Sequence, residues 1–352
     1  MRWLRADAPL LSGLAAMVLG ALLTALATSI LALPTIETIQ VFFVDPIADG
    51  FGRRQLLITA APLFLCALGL SLAFRGGVQN IGADGQLMSG AICAGGLALA
   101  HPNMGVLLLP ACVLAAVAGG MLWAAIAAAL RIWCGASELL SSLFLVYVAQ
   151  LILTALVSGP WREPGGYGME TSPLPDGAML PVWGGLHAGV WFLVIFGMLW
   201  WFLERHLVIF FRLRVLGEAP EAARYAGYRS DNLIWAAMLL SGALAGLAGY
   251  LQIAGPLGRL NPDLSSGYGF AAIVVVFAGH LGCLGMAFTS ILVALLRLGA
   301  EHAQIALHLP QSVGLLFQGM FLVSFLLCQR WVPILLGQLA LMAARRRAAH
   351  GT

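Results

Sequence analysis

Long apolar runs separated by short polar breaks dominate the chain, at about residues 10–33, 56–74, 78–100, 104–130, 138–158, 186–203, 232–255, 267–280, 283–300 and 309–328. A helix needs about 20 apolar residues to cross the roughly 30 Å hydrocarbon layer of a bilayer. Most of these runs meet that length, so the pattern predicts an all-α, polytopic membrane protein with about ten transmembrane helices. Once the runs are removed no soluble domain remains, and residues 1–352 read as one transmembrane domain. The first run follows Arg2 and Arg5 and contains Ala25-Leu26-Ala27, a pattern shared with signal peptides. It is too long for a signal core and further spans follow, so it reads as a span.

One run breaks the pattern. The stretch GGVQNIGADGQLMSGAICAGG (76–96) places Asn80, Asp84 and Gln86 where a lipid-facing helix carries hydrocarbon. Gly82 and Gly85 thin the side chains beside them, which lets the backbone unwind or a neighbouring helix approach. An acid costs several kcal/mol at the bilayer centre, so Asp84 belongs against protein or a water-filled path. The residues alone leave two readings open: a polar element inside the bundle, or a polar helix end at the interface, since Arg75 lies nine positions earlier.

Composition supports the membrane reading: 61% of residues are hydrophobic and 9% charged, against roughly 25% charged in soluble domains. All 18 basic residues are Arg. Without Lys the chain cannot form a Walker A phosphate loop or a lysine imine. Charge also sets orientation. With a cytoplasmic N-terminus, Arg2, Arg5, Arg75, Arg131, Arg205, Arg212, Arg214, Arg224, Arg229, Arg330, Arg345, Arg346 and Arg347 fall inside. Only Arg53, Arg54, Arg162 and Arg259 fall outside. The positive-inside rule then places both termini in the cytoplasm, with 204–232 as a cytoplasmic segment and 159–185 as an extracytoplasmic loop. Arg53 and Arg54 sit awkwardly in this scheme, and 34–55 reads as a partly inserted stretch. Trp133, Trp161, Trp183, Trp200, Trp201, Trp235 and Trp331 lie near predicted helix ends, as an interfacial belt requires.

Enzyme chemistry finds no foothold. An intramembrane aspartyl protease needs two membrane Asp residues, and only Asp84 qualifies. No Ser with a nearby His stands inside a span, and no glycine fingerprint follows a strand. The six Cys contain no C-x-x-C pair and the seven His are scattered; no catalytic residue and no metal site is expected. Arg297 and Glu301, four apart, read as a structural pair. Gly242, Gly246 and Gly249 read as small-residue helix packing. The 204–232 segment contains GEAPEAARYAG (217–227), in which Pro220 suits the first turn of a short helix and Gly227 a left-handed stop.

Three stretches together resemble one family. PLFLCALGLSLAFRGGVQNIGADGQLMSGA is similar to a region of the permease subunits of ATP-binding cassette (ABC) importers, in the superfamily that handles branched-chain amino acids, ribose-type sugars and nucleosides. The nucleoside and simple-sugar members typically read NIGAEGQ where this chain has Asn80-Ile81-Gly82-Ala83-Asp84-Gly85-Gln86, so Asp84 replaces a Glu. The segment 217–227 resembles that family's coupling segment, and GYGF at 267–270 matches its pattern. The resemblance implies a substrate path that includes Asn80, Gly82, Asp84, Gly85 and Gln86, and an ATPase-coupling segment built from Gly217, Glu218, Pro220, Glu221, Ala222, Ala223 and Gly227. It implies three partners: a cytoplasmic ABC ATPase, a second permease subunit that is a paralogue, and an extracytoplasmic solute-binding protein. Nucleic acid is not among them. ATP is then used by the partner ATPase and no cofactor binds this chain. The localisation implied is the inner membrane, and the solute a nucleoside or simple sugar, with branched-chain amino acids as the alternative. An ion-coupled secondary transporter is the reading from another class; it calls for paired acids inside several spans, where this chain offers Asp84, Glu138 and Glu301.

Overall fold

The computed structural model describes residues 35–308 continuously, except for 35 at the side-chain level, with scattered positions at 19, 22 and between 310 and 334. Of the predicted spans, 10–33 and most of 309–328 therefore lie outside the described residues. The described helices are α1 (Thr35–Phe43), α2 (Asp45–Ala48), α3 (Gly50–Arg75), α4 (Ala83–Ala100), α5 (Leu108–Cys134) and α6 (Glu138–Ser158). They continue with α7 (Ala188–His206), α8 (Val208–Glu218), α9 (Pro220–Tyr225), α10 (Ser230–Gln252), α11 (Tyr268–Ala278) and α12 (Cys283–Ala306).

Six described stretches are long and apolar enough to cross a membrane: Gly50–Arg75, Gly105–Cys134, Glu138–Ser158, Ala188–His206, Ser230–Leu257 and Cys283–Ala306. Two expected spans take a different form. The run 78–100 turns helical only at Ala83, because residues 78–82 are occupied by a polar turn. The run 267–280 forms an 11-residue helix, α11, about half a membrane crossing at 1.5 Å per residue. The stretch 34–55 is helical throughout most of its length, as α1, α2 and the start of α3. Asp49 caps α3 by accepting the Gly52 N–H at 2.6 Å, the bond an N-terminal carboxylate makes to an otherwise unpaired helix donor.

The contacts fall into two compact units, residues 57–291 and a second made of 1–56 with 292–352. In the second, Val41 and Phe42 of α1 pack on Ala300 and Ala303 of α12. There Arg297 and Glu301 pair at 3.6 Å as their spacing predicts.

In the unit of residues 57–291, α10 lies among α3, α4 and α5, and glycines set the separations. A Cβ at Gly246 would stand 2.2 Å from the Ala116 carbonyl of α5, one at Gly249 2.1 Å from the Leu87 carbonyl of α4, and one at Gly120 2.0 Å from the Gly242 carbonyl. These helices touch backbone to backbone, the arrangement that small residues allow between membrane helices.

Past Gln252, α10 loosens into one π-helical turn (Ile253–Leu257) that contains Pro256 and stops at Gly258 in the left-handed region. The chain then runs without helix beside α4 and α6. Leu260 lies against Gly95, the Pro262 carbonyl accepts Gln150 Nε2 at 2.8 Å, and Ser265 reaches Asp84 at the opposite end of α4. This strand of coil thus traverses most of the length of α4 before α11 begins.

The 159–187 loop closes over the same end as Leu260. Its backbone bonds to the coil through Thr171 N–H to Leu260 O (3.1 Å), Leu174 N–H to Gly258 O (2.8 Å) and Leu180 N–H to Ala254 O (2.9 Å). Arg259 pairs with Glu170 at 2.6 Å. A two-stranded hairpin, β1 (Val182–Trp183) and β2 (Leu186–His187), turns through Gly184 and Gly185. Both have positive φ, as a tight type I′ turn demands. The loop is an ordered cap, as its Pro and Gly content suggests.

Candidate functional site

The polar break begins where α3 stops. Gly77 takes a left-handed conformation (φ 70°), and the Val78 N–H returns to the Ala73 carbonyl at 2.9 Å, which closes the helix end. Asn80 then folds the next residues around itself. Its Oδ1 accepts the Gly82 N–H at 3.0 Å and Gln86 Nε2 at 3.1 Å. Its Nδ2 donates to Gln86 Oε1 at 3.2 Å and to Ser241 Oγ of α10 at 3.0 Å. Asn80 and Gln86 are 0% and 1% exposed. Two amides that satisfy each other are the cheap way to hold polar groups in a low-dielectric bundle, because an unpaired one is costly there.

Asp84 belongs to a different network. Its Oδ1 accepts Ser265 Oγ and the backbone N–H of Gly269, both at 2.5 Å. Gly269 is the second residue of α11, so a carboxylate in the first turn of one helix caps the N-terminus of another. The free N–H groups and the positive dipole end of α11 favour a negative charge at that point. The approach is close enough that a Cβ on Gly269 would lie 2.2 Å from the Asp84 backbone nitrogen. Asp84 is 5% exposed. Asp84 thus stands in the first turn of α4 and is enclosed by protein.

Gly82 and Gly85 serve close packing. A Cβ at Gly82 would stand 3.0 Å from Ser142 Cβ, and one at Gly85 3.0 Å from Trp123 Nε1 and Val146 Cα. Ser142 Oγ also accepts the Ile81 N–H at 3.2 Å. The five residues singled out in the sequence are therefore gathered at the start of α4, but in two separate bonded groups.

The second segment, 217–227, forms the end of α8, the short helix α9 and its stop. Pro220 opens α9, where its missing N–H costs nothing. Gly227 is left-handed at φ 76°, and the Tyr228 N–H returns to the Ala223 carbonyl at 3.0 Å. Ala222, Glu218 and Glu221 face outward, with Glu221 paired to Arg224 at 3.1 Å. Ala223 is fully buried.

The structure brings these two segments together. A Cβ on Gly217 would lie 2.2 Å from the Arg75 carbonyl and 2.9 Å from Gly77 N, and one on Gly76 3.2 Å from Leu213 of α8. The α8–α9 arm is thus seated on the turn that leads into Asn80. The resemblance gives the two segments linked roles, path and coupling, but no local spacing in the sequence signals that they touch.

Arg75 itself was counted only as a charge. Its side chain is 6% exposed and forms an ion pair with Glu204 at the end of α7. The same Nη2 donates to the Leu281 carbonyl in the α11–α12 turn at 2.5 Å, and the guanidinium lies 5.6 Å from the Phe210 ring of α8. Phe74 and Phe277 stack beside it at 4.9 Å. The available signal was positional: an Arg and a Glu each sit one residue past an apolar run, on the same predicted side.

Residues 53–326 match the family described as branched-chain amino acid transport system / permease component. Among curated proteins, the chain is 30% identical over 334 residues to a glucose ABC transporter permease protein of Haloferax volcanii, covering 91% of this chain and 87% of that one. It is 28% identical over 258 residues to a guanosine ABC transporter permease protein of Bacillus subtilis (72% and 74%). A probable riboflavin import permease protein of Treponema pallidum is 26% identical over 300 residues (84% and 78%). No solved structure matches the chain. With most of its length matched to that family and to such relatives, this multi-pass membrane protein belongs to the permease family of ABC transporters.

Proposed function

We propose that the chain is the membrane-spanning half of an ABC importer for a nucleoside or simple sugar, in the inner membrane with both termini in the cytoplasm. ATP is hydrolysed by a partner ATPase, a paralogous permease completes the membrane part, and an extracytoplasmic binding protein delivers solute. The observation that carries this reading is the seating of Gly217 on the Arg75–Gly77 turn, three residues before buried Asn80. Movement of an arm on the cytoplasmic face would then pull directly on the start of α4. The distribution of Arg supports the orientation, and relatives whose names specify glucose and guanosine support the solute class.

On this reading Asn80, Gly82, Asp84, Gly85 and Gln86 flank the route. Their bonds to Ser241, Ser265 and Gly269 close it. Parting α4 from α10 and α11 exposes two amides and a carboxylate, groups able to bond a polyhydroxylated ring.

The test is purification in mild detergent, identification of co-purifying chains, and ATP-driven uptake of labelled guanosine, ribose and glucose into proteoliposomes. An ATPase chain together with ATP-dependent uptake of one of these solutes is the expected result. Uptake by this chain alone, without ATP, overturns it. The arm gives a second expectation. Glu221→Arg and Ala223→Trp should leave the permease monodisperse in detergent while lowering ATP-driven uptake about tenfold, within the range of a typical coupling free energy. Full uptake by both variants would remove the arm from the mechanism.

A further inference from the structure

Arg75 joins α3 to two regions far along the chain, the α7–α8 region and the α11–α12 turn. It ends α3, pairs with Glu204 of α7, donates to Leu281 between α11 and α12, and lies over Phe210 of α8. Its own carbonyl is the atom on which Gly217 rests. We propose that the Arg75–Glu204 pair is a latch, with Arg75 a positioning residue whose bonds pass displacement of the α8–α9 arm to α11 and α12. The proposal rests on the importer reading above.

Two features favour a latch over a static bolt. A buried ion pair contributes little net stability, because desolvation offsets most of its attraction, whereas removing one member strands a charge. With the Arg75 side chain 6% and that of Glu204 18% exposed, the pair is largely withdrawn from water and poorly explained as a stabiliser. The guanidinium is also unevenly used: Nη2 carries both bonds, while buried Nη1 has no partner among the described residues. A donor left idle beside a doubly used one gives the side chain something to gain from rearrangement. The Leu281 carbonyl it holds belongs to a turn in which His280 and Leu281 both have positive φ, 52° and 60°. Such backbone persists in residues with side chains only where surrounding contacts hold it. Release of Arg75 removes one of those contacts and frees the junction through which α11, capped at its other end by Asp84, connects to α12.

The experiment uses the complete transporter in proteoliposomes and reads solute moved per ATP hydrolysed for Arg75→Gln, Glu204→Gln and the double variant. Each single change should lower the ratio about five- to tenfold and also lower thermal stability, since a buried Arg75 or a part-buried Glu204 loses its ion-pair partner. The double variant strands no charge, so its stability should recover while the ratio stays low. A double variant that regains both would make the pair purely structural and overturn the latch, even if a single variant fails to assemble. A native transporter that moves no solute with ATP overturns the importer reading instead; native coupling with an unchanged ratio in the double variant overturns the latch alone.

Discussion

Leucine in place of Asp84 is expected to abolish uptake and to destabilise the bundle by about 3 kcal/mol or more, since hydrogen bonds to a charged group contribute about 1.5–3 kcal/mol each. The carboxylate holds Ser265 and the Gly269 N–H, and leucine can accept neither. Leaving them unpaired inside a membrane protein adds a desolvation cost, and the first turn of α11 loses its cap. Asparagine keeps one acceptor oxygen without the charge, so Asp84→Asn should fall between. Thermal unfolding in detergent, followed with uptake in proteoliposomes, orders the three proteins. If leucine matched the native chain in both assays, the carboxylate would have neither structural nor transport importance.

Gly120→Ala and Gly246→Ala should each cost at least the ~1–3 kcal/mol usual for overpacking, near the top of that range or beyond. The added methyl groups would meet carbonyl oxygens at 2.0 and 2.2 Å, and these belong to helix backbones that cannot swing aside as a side chain can. Both helices must separate, and α4 moves with them because it packs on the same stretch of α10. Gly50→Ala is the control, since its methyl would meet only the flexible end of Arg53 at 4.0 Å. Melting temperatures in detergent should separate the two from the control by several degrees; three equal values would show that α5 and α10 are not packed this closely.

Much of this could be read from the sequence because membrane helices announce themselves by length and hydropathy. The six long helical stretches fall where apolar runs predict them, and Pro220 and Gly227 mark the ends of α9 by rules of backbone geometry. Gly242, Gly246 and Gly249 likewise revealed a contact face. What sequence could not supply was the partner of each polar residue. Asn80, Asp84 and Gln86 looked like one cluster because they lie within seven positions. Their bonds separate them, one pair toward Ser241 and the acid toward residues more than 180 positions away. The Arg75–Glu204 pair bridges 129 positions and carries no local spacing signal. The unwound path from Gly258 to Gly267 was legible only as a loop, since Gly and Pro mark a break without saying how deep the chain then runs.

That unwound path bears on how the protein is made. At 11 residues, α11 is about half the length needed to enter a ~30 Å hydrocarbon layer as an independent segment, and the coil before it carries backbone groups that lipid cannot satisfy. The partners named above for that coil and for the start of α11 come from earlier in the chain: Asp84, Gly95, Gln150, Glu170, Thr171 and Leu174. Synthesis from the N-terminus therefore places these partners before the segment that depends on them.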